Sequence, residues 1–252
     1  MANWSISPTD ATINSSGVAN FPRNTGNNDK PYTITYTDDD GCSSSITYTL
    51  PPCRKEYVEI GGIKWATMNI GANSVTDYGL YFQWGDTQGY TIDQVGEGSG
   101  KKYFYWRDYK YSVDTSMTKY NSSDGKTKLD TSDDAAIANW GADWRMPTTT
   151  EFRTLGNNVN VTWTNNYKSS GVAGMICTDK TDSSKVLFFP AAGDCWKGAP
   201  NALGETCLYW SSSLNTSDVT SSFDLMYESN GEKSYDNYHF RYNGFPIRPV
   251  LN

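Results

Sequence analysis

Residues 56–67 constrain the fold of this chain more than any other segment. Two runs in which apolar and polar side chains alternate, residues 56–60 and 63–67, are separated only by Gly61 and Gly62. Such a two-residue connection is typical of a tight β-hairpin, because its central residues need positive φ angles that glycine adopts freely. We therefore predict an antiparallel hairpin at this point of the chain.

A first helix is predicted shortly after residue 131. Ser132, Asp133 and Asp134 precede it, where polar side chains cap a helix and the two carboxylates complement its positive end. Ala136, Ile137 and Trp140 then fall on one helical face, which we expect to be buried. Gly141 is expected to end this helix.

A second helix is predicted directly after Pro147. Residues 148–151 form a capping-box pattern, in which Thr and Glu side chains satisfy free backbone N–H groups at the helix start. Phe152 and Leu155 lie three residues apart and are expected to be buried on one face. Gly156 is expected to end the helix.

The rest of the second region is predicted to be strands and loops. The strands are expected at residues 185–189, 208–212, 223–227, 239–242 and 245–250. Residues 85–130 are poor in aliphatic side chains and predict long loops, which often carry function. Strands, two short helices and further strands predict an α+β fold. With Pro51 and Pro52 as a stiff boundary, we predict a small β-sandwich-like segment at residues 1–52 and a larger domain at 53–252.

Charge and composition narrow the classes of function. The net charge of −7 argues against nucleic acid or an anionic membrane surface as a partner. The chain contains nine Trp and eighteen Tyr, more than its core needs, so some aromatic rings are expected to face solvent or a ligand. No apolar run is long enough for membrane insertion, and residues 1–20 lack a signal-peptide pattern. We predict an extracellular location. The protein would reach it either through an export signal that residues 1–20 do not contain or as part of a virion.

The cysteines and the single histidine suggest little reactive chemistry. Cys195 and Cys207 bracket a Gly/Pro-rich loop and predict either a disulfide or two small buried thiols. The five cysteines show no metal-binding spacing. His239 has no nucleophile motif near it in sequence. We therefore predict no enzymatic activity, no catalytic residues, no cofactor and no metal.

Five ordered blocks resemble a known family. They are residues 57–69, residues 140–148 followed by Glu151 and Phe152, and residues 189–193, 209–213 and 244–250. Over residues 56–250 the chain resembles the Fibrobacter succinogenes major paralogous domain, common in surface proteins of gut Bacteroidetes. The resemblance implies a C-type-lectin-like fold, with a twisted antiparallel sheet and two flanking helices. Residues 4–9 resemble the opening of the Ig-like modules that often precede such domains.

The blocks themselves are interpreted as scaffold. The tryptophans that lie within their regular elements are predicted to be core aromatics: Trp65, Trp140, Trp144 and Trp210. The sequence triplets with which true C-type lectins bind calcium are absent, so no calcium-dependent sugar site is expected. Any ligand site is therefore expected outside the blocks.

Residues 214–243 differ in composition from the blocks around them. They are rich in Tyr, Asn, Asp and Ser, which is typical of antibody paratopes and also suits glycan binding. Seven of the nine residues 235–243 are Asn, Tyr, Asp or His, the set that adenine mutagenesis of Asn codons produces. This resembles the variable proteins of diversity-generating retroelements; the alternative is a polar edge that deters strand pairing. The predicted ligand-binding residues are Asn215, Ser217, Asp218, Tyr227, Tyr235, Asp236, Asn237, Tyr238, His239, Tyr242 and Asn243.

These features predict a non-catalytic display protein on a virion or a bacterial cell surface. Its C-terminal variable face would recognise a protein or glycan on another cell surface, with neither nucleic acid nor membrane insertion involved. The alternative is a structural or adhesive module of a Bacteroidetes surface lipoprotein or fimbria-like assembly. Display proteins of this kind often form trimers, so a homotrimer is one expected assembly.

Overall fold

The computed structural model describes residues 3–22, 29–50, 56–113 and 116–252. The chain divides into two compact units, Met1–Lys55 and Glu56–Asn252, and each is described by itself. Pro51, Pro52 and Cys53, where the sequence predicts the domain boundary and places one cysteine, lie outside the described residues.

The first unit consists of a three-stranded antiparallel sheet and a separate ladder of two short strands. Its strands are β1 (Asn3–Ser7), β2 (Thr12–Ile13), β3 (Ala19–Asn20), β4 (Lys30–Thr37) and β5 (Ser43–Leu50). Strand β4 lies between β1 and β5, and β2 pairs with β3. The ring of the buried Tyr32 packs against Phe21, with centroids 5.1 Å apart. The predicted sandwich is wrong, because the described part of this unit has a two-stranded ladder in place of a second full sheet.

The second unit consists of short antiparallel sheets and two short α-helices. Its strands are β6 (Tyr57–Ile60), β7 (Ile63–Ala66), β8 (Ser112–Val113), β9 (Ser116–Met117), β10 (Trp144–Arg145), β11 (Val159–Thr164), β12 (Gly174–Asp179), β13 (Val186–Pro190), β14 (Asp194–Trp196), β15 (Ala199–Asn201), β16 (Thr206–Leu214), β17 (Ser221–Glu228), β18 (Lys233–Phe240) and β19 (Val250–Leu251). Its helices are α1 (Ala135–Trp140) and α2 (Thr149–Asn158). The sheet orders are β10-β19-β7-β6, β11-β12-β13, β16-β17-β18, β8-β9 and β14-β15.

Aromatic pairs mark the two main hydrophobic cores of the second unit. In the first core Trp65 stacks on Phe152 of α2, with ring centroids 5.5 Å apart. In the second core Trp210 stacks on Phe245 at 4.2 Å. Trp144 is also buried, and Trp140 packs half-buried against the second core. The prediction of core tryptophans is thus confirmed for Trp65, Trp144 and Trp210, whereas Trp140 lies at the margin of the core.

The local signals for the hairpin and the helix starts are confirmed. Strands β6 and β7 pair across Gly61 and Gly62, whose φ angles are 60° and 75°. The Asp134 carboxylate caps α1 by accepting backbone N–H groups of its first turn. Thr148 and Glu151 form the capping box of α2. These features depend on neighbouring residues only, which is why the sequence predicts them correctly.

The predicted end of the second helix is wrong. Helix α2 continues through Gly156 to Asn158. A Cβ atom at Gly156 would lie 2.4 Å from the ring of Tyr235, so glycine is needed there for close packing against β18. The glycine therefore reflects a tertiary contact and not a helix terminus.

The prediction of an α+β, C-type-lectin-like domain is also contradicted. Strands make up 41% of the structure and helices 12%, and the strands form several small antiparallel sheets instead of one twisted sheet with two flanking helices. The helix signals are correct, but the helices are only six and ten residues long. Residues 159–164, which alternate, and residues 174–179, which do not, form strands β11 and β12, and the sequence prediction missed both.

The last two predicted strands are largely wrong. Strand β18 starts earlier than expected and ends at Phe240, and only Val250–Leu251 of the final segment is a strand. Pro246 and Pro249 have no N–H to donate to a ladder. Phe245 instead exchanges two backbone hydrogen bonds of 3.0 Å with Phe82.

Cys195 and Cys207 are free thiols and both are fully buried. Of the two predicted states, the structure therefore shows the buried thiols. Burial raises the pKa of both thiols above the ordinary value of 9.0. Small buried cysteines with such pKa values behave as apolar core residues and react slowly.

Candidate functional site

Five aromatic side chains form a continuous surface on the second unit, the aromatic platform: Tyr105, Trp106, Trp196, Phe240 and Tyr242. Tyr242 is the centre and is only 4% exposed. Its ring centroid lies 4.6 Å from that of Trp106 and 4.9 Å from that of Tyr105. It also stacks on Phe240 at 5.3 Å. Burial raises the pKa of the Tyr242 hydroxyl, and the neighbouring Trp196 side chain opposes that shift. Trp196 and Phe240 are 43% and 47% exposed, so their rings face solvent.

A hairpin tip presents Trp196. Strands β14 and β15 are joined by Lys197 and Gly198, whose φ angles are 49° and 75°, as a primed two-residue turn requires. Cys195, next to the exposed indole, exchanges two backbone hydrogen bonds of 2.9 Å with Gly244. The hairpin is therefore fixed to the chain segment that also carries Tyr242.

A strained residue positions Tyr105 and Trp106. Phe104 is fully buried and has a φ of 55°, a left-handed conformation that is unfavourable for a bulky side chain. Its ring lies against Gly244, where a Cβ would come within 2.4 Å of it. After Phe104 the chain turns sharply, and the Asp108 carboxylate accepts the backbone N–H of Tyr105 at 3.0 Å. Packing therefore holds the loop in a conformation that its sequence alone does not favour.

The end of β18 supplies the remaining rings. Phe240 is the last residue of the strand, and Tyr238, two residues earlier on the same side, is 58% exposed. Between Phe240 and Tyr242 lies Arg241, which is fully buried and donates from Nε to the hydroxyl of Tyr109 at 2.7 Å. Because Tyr109 belongs to the same loop as Trp106, Arg241 fastens that loop beside β18.

Two cations lie at the edge of the aromatic platform. The ammonium of Lys197 is 4.4 Å from the ring centroid of Trp196 and 5.3 Å from that of Tyr105. The guanidinium of Arg107 lies 3.6 Å from the ring centroid of Tyr103 and is 3.5 Å from the Glu97 carboxylate. Aromatic faces attract such cations, so part of the local positive charge is held at the rings.

Of the predicted ligand-binding residues, the structure places three at or beside the platform. Tyr242 is its buried centre and Tyr238 is exposed next to Phe240. Asn243 follows Tyr242 and is 8% exposed, and its side-chain carbonyl has no hydrogen-bond partner among the described residues. Asn243 is therefore too buried to meet a ligand without rearrangement.

A separate turn contains Asn215, Ser217 and Asp218. The side-chain oxygen of Asn215 accepts the backbone N–H of Ser217 at 3.1 Å. Asp218 accepts the hydroxyls of Thr220 at 2.6 Å and Ser221 at 2.8 Å, and the first of these bonds lowers the pKa of its carboxyl. These hydrogen bonds stay within the loop, so their first role is to fix the turn between β16 and β17.

Tyr227 and Tyr235 lie in the first core and not at the surface. Tyr227 is 6% exposed and stacks on Trp163 with centroids 6.1 Å apart. Tyr235 packs against Gly156, and burial raises its pKa to about 12. Asp236 is exposed on the same side of β18 as Tyr238 and Phe240, and its carboxylate is paired with Arg153 at 2.7 Å. The structure therefore does not bring Tyr227 and Tyr235 to the platform, whereas Asp236 lies on the outward side of the strand and is held by Arg153.

Asn237 and His239 form a polar cluster with Asp224 of β17. Asp224 is fully buried, and its two carboxylate oxygens accept hydrogen bonds from Asn237 Nδ2 at 3.2 Å and His239 Nδ1 at 3.0 Å. Burial raises the pKa of the Asp224 carboxyl. Burial also lowers the pKa of His239, but the hydrogen bond to Asp224 and the charges of Asp224 and Asp194 raise it by more, so the net shift is upward.

We predict that His239 titrates above its ordinary value of 6.5. The stabilisation from its charged form is complete below about 6.5 and is lost as the pH rises through the higher folded value. A proton NMR titration reads this directly, because the chain has one histidine. In Asp224→Asn the titration midpoint of His239 should fall. The carboxylate that favours the protonated imidazole is then gone, while burial still disfavours the protonated form. A wild-type midpoint at or below 6.5 would contradict the prediction.

The sequence analysis missed four of the five platform residues. Tyr105 and Trp106 lie in the loop-rich stretch that was expected to carry function, and that expectation was their only signal. Trp196 follows Cys195 in the loop that was considered only for the state of its two cysteines. Phe240 falls inside the stretch for which diversification was predicted but outside the Asn, Tyr, Asp and His set. Large aromatic residues in loops and at the ends of strands are the signal that could have found them.

No family model, curated protein or solved structure matches the chain. The resemblance to the Fibrobacter succinogenes major paralogous domain therefore stays a prediction. Within the described residues, no group of three or more His, Cys, Asp or Glu side chains is arranged to hold a metal ion. No described helix is both long and apolar enough to cross a membrane.

Proposed function

We propose that this chain is a non-catalytic binding protein that recognises a protein or glycan through the aromatic platform. One observation carries the proposal: Trp196 and Phe240 are almost half exposed, although Phe240 packs on Trp106 and Tyr242 and Trp196 shares the Lys197 ammonium with Tyr105. Folding alone gives no reason to leave such rings in water, whereas Trp and Tyr dominate the energetics of binding surfaces. Tyr238 extends the same exposed surface along β18.

The supports of the platform fit this role. Phe104 and Arg241 are fully buried, so they hold the exposed rings in place before a ligand arrives. A surface ordered in advance loses less conformational entropy on binding. We further propose, from the composition and the resemblance described above, display on a virion or bacterial cell surface.

The proposal is tested with Trp196→Ala and Phe240→Ala. Each should weaken binding to the cognate cell surface or immobilised ligand by about tenfold or more, as expected for the loss of an exposed anchor ring. Both rings are partly solvated, so the melting temperature should change little. Tyr57→Ala is the matched control, since Tyr57 is 47% exposed on β6. Wild-type affinity in both platform variants would overturn the proposal.

An assembly role is the second candidate, favoured by the exposed edge of the first unit. Among the described residues β5 pairs only with β4, and it exposes Ile46 (67%) and Tyr48 (44%). Long exposed edge strands pair readily with other chains. If this is the function, Ile46→Lys should abolish self-association while platform variants leave it intact, as read by analytical ultracentrifugation.

A further inference from the structure

The positive charge of Lys197 distinguishes the aromatic platform from a purely apolar surface. It occupies the hairpin tip beside Trp196, and its ammonium lies within 5.3 Å of the ring centroids of both Trp196 and Tyr105. The only other cation described at the platform edge, Arg107, is paired with Glu97. No carboxylate among the described residues pairs with Lys197, although the chain carries a net charge of −7. An unpaired ammonium beside exposed rings provides a binding position for an anion.

The exposed area indicates the size of the ligand. Trp196, Phe240 and Tyr238 are 43%, 47% and 58% exposed. With total areas of 150–250 Å² for such side chains, the three rings offer roughly 300 Å². A stable protein interface buries about 800 Å² on each partner. The platform is therefore small for a protein and of suitable size for a short stretch of sugar rings, whose C–H faces stack on aromatic side chains.

We propose that the ligand of the aromatic platform is an acidic glycan, whose sugar rings stack on Trp196 and Phe240 while its carboxylate or sulfate group pairs with Lys197. This inference rests on the proposed function, since it names the ligand class of the same surface. Lys197 supplies charge selectivity, and the rings supply most of the affinity. The acidic group is the feature that distinguishes the ligand from a neutral glycan.

Matched oligosaccharides test the inference by calorimetry on the full chain. Short oligogalacturonates are compared with their methyl esters, which keep the sugar rings and lose the charge; heparin oligosaccharides report on sulfate. Wild-type protein should bind at least one acidic probe about tenfold more tightly than the neutral esters, with an affinity that falls as salt is added. Lys197→Gln should remove this preference and most of the salt dependence, whereas Lys197→Arg should retain both.

Lys64→Gln is the control for the loss of one positive charge. Lys64 also lies over a tyrosine ring, 5.4 Å from the centroid of Tyr57, but on the β6–β7 hairpin. The Lys64→Gln variant should bind the acidic probes as the wild type does. Equal binding of esters and acids, or an intact acid preference in Lys197→Gln, overturns the inference.

The proposed function and the inference fail in different ways. If a protein partner binds through Trp196 and Phe240 while no acidic probe binds, the inference is wrong and the proposed function stands. If acidic probes bind equally well to Trp196→Ala and Phe240→Ala, the platform is not the site, and both are wrong.

Discussion

Replacing Arg241 with leucine should lower the free energy of unfolding by about 3–5 kcal/mol. The guanidinium is fully buried, and besides Tyr109 it donates to the backbone carbonyls of Val219 at 2.9 Å and of Tyr120 and Lys119 at 3.1 Å. Leucine fills much of the volume but leaves these acceptors without donors in a water-poor interior, and each unsatisfied group is costly. Urea denaturation followed by tryptophan fluorescence measures the change.

Arg153→Leu is the matched control for Arg241→Leu. Arg153 has a half-exposed side chain, and its only described ion pair is with the exposed Asp236. Surface pairs of this kind contribute less than about 1 kcal/mol, so the control should unfold almost as the wild type does. If the two variants lose similar stability, Arg241 is not the anchor described above. Its position next to Phe240 also predicts weakened ligand binding at temperatures where Arg241→Leu is still folded.

Gly244→Ala should destabilise the protein by about 1–3 kcal/mol and disable the aromatic platform. The new Cβ would lie 2.4 Å from the Phe104 ring, which is fully buried and cannot move aside without displacing its neighbours. Phe104 immediately precedes Tyr105, so its displacement shifts the loop that carries Tyr105 and Trp106. The free energy of unfolding and the affinity for the ligand, measured on the same sample, should both decrease.

A double-mutant cycle identifies the clash as the cause. Phe104→Leu shortens the side chain that meets the new methyl group, so Gly244→Ala should cost less in the Phe104→Leu background than in the wild type. Strictly additive effects would show that the alanine acts by another route, such as a change in the backbone of residue 244. Gly125→Ala is a useful comparison, since a Cβ there meets nothing within 4 Å and only its φ of 66° opposes the change.

The predicted ligand stretch shows why a composition signal cannot define a surface. Residues 235–243 were treated as one face, but β18 is a strand, so successive side chains point to opposite sides. Tyr235 and His239 therefore turn inward, whereas Tyr238 and Phe240 turn outward. The sequence pointed to the strand that carries part of the aromatic platform. It gave no means of choosing between the two faces, because polar and aromatic residues occur on both.

The sequence alone determined the features that depend on residues close together in the chain. The Gly61–Gly62 turn and the Glu151 capping box follow from local backbone geometry, which neighbouring residues dictate. Only the tertiary structure decided the fold class and the aromatic platform. The platform joins residues 105, 196 and 240, and its geometry depends on Phe104 being held in an unfavourable conformation by contacts with residue 244. Contacts over such separations depend on how whole strands pack, which no local pattern of residues encodes.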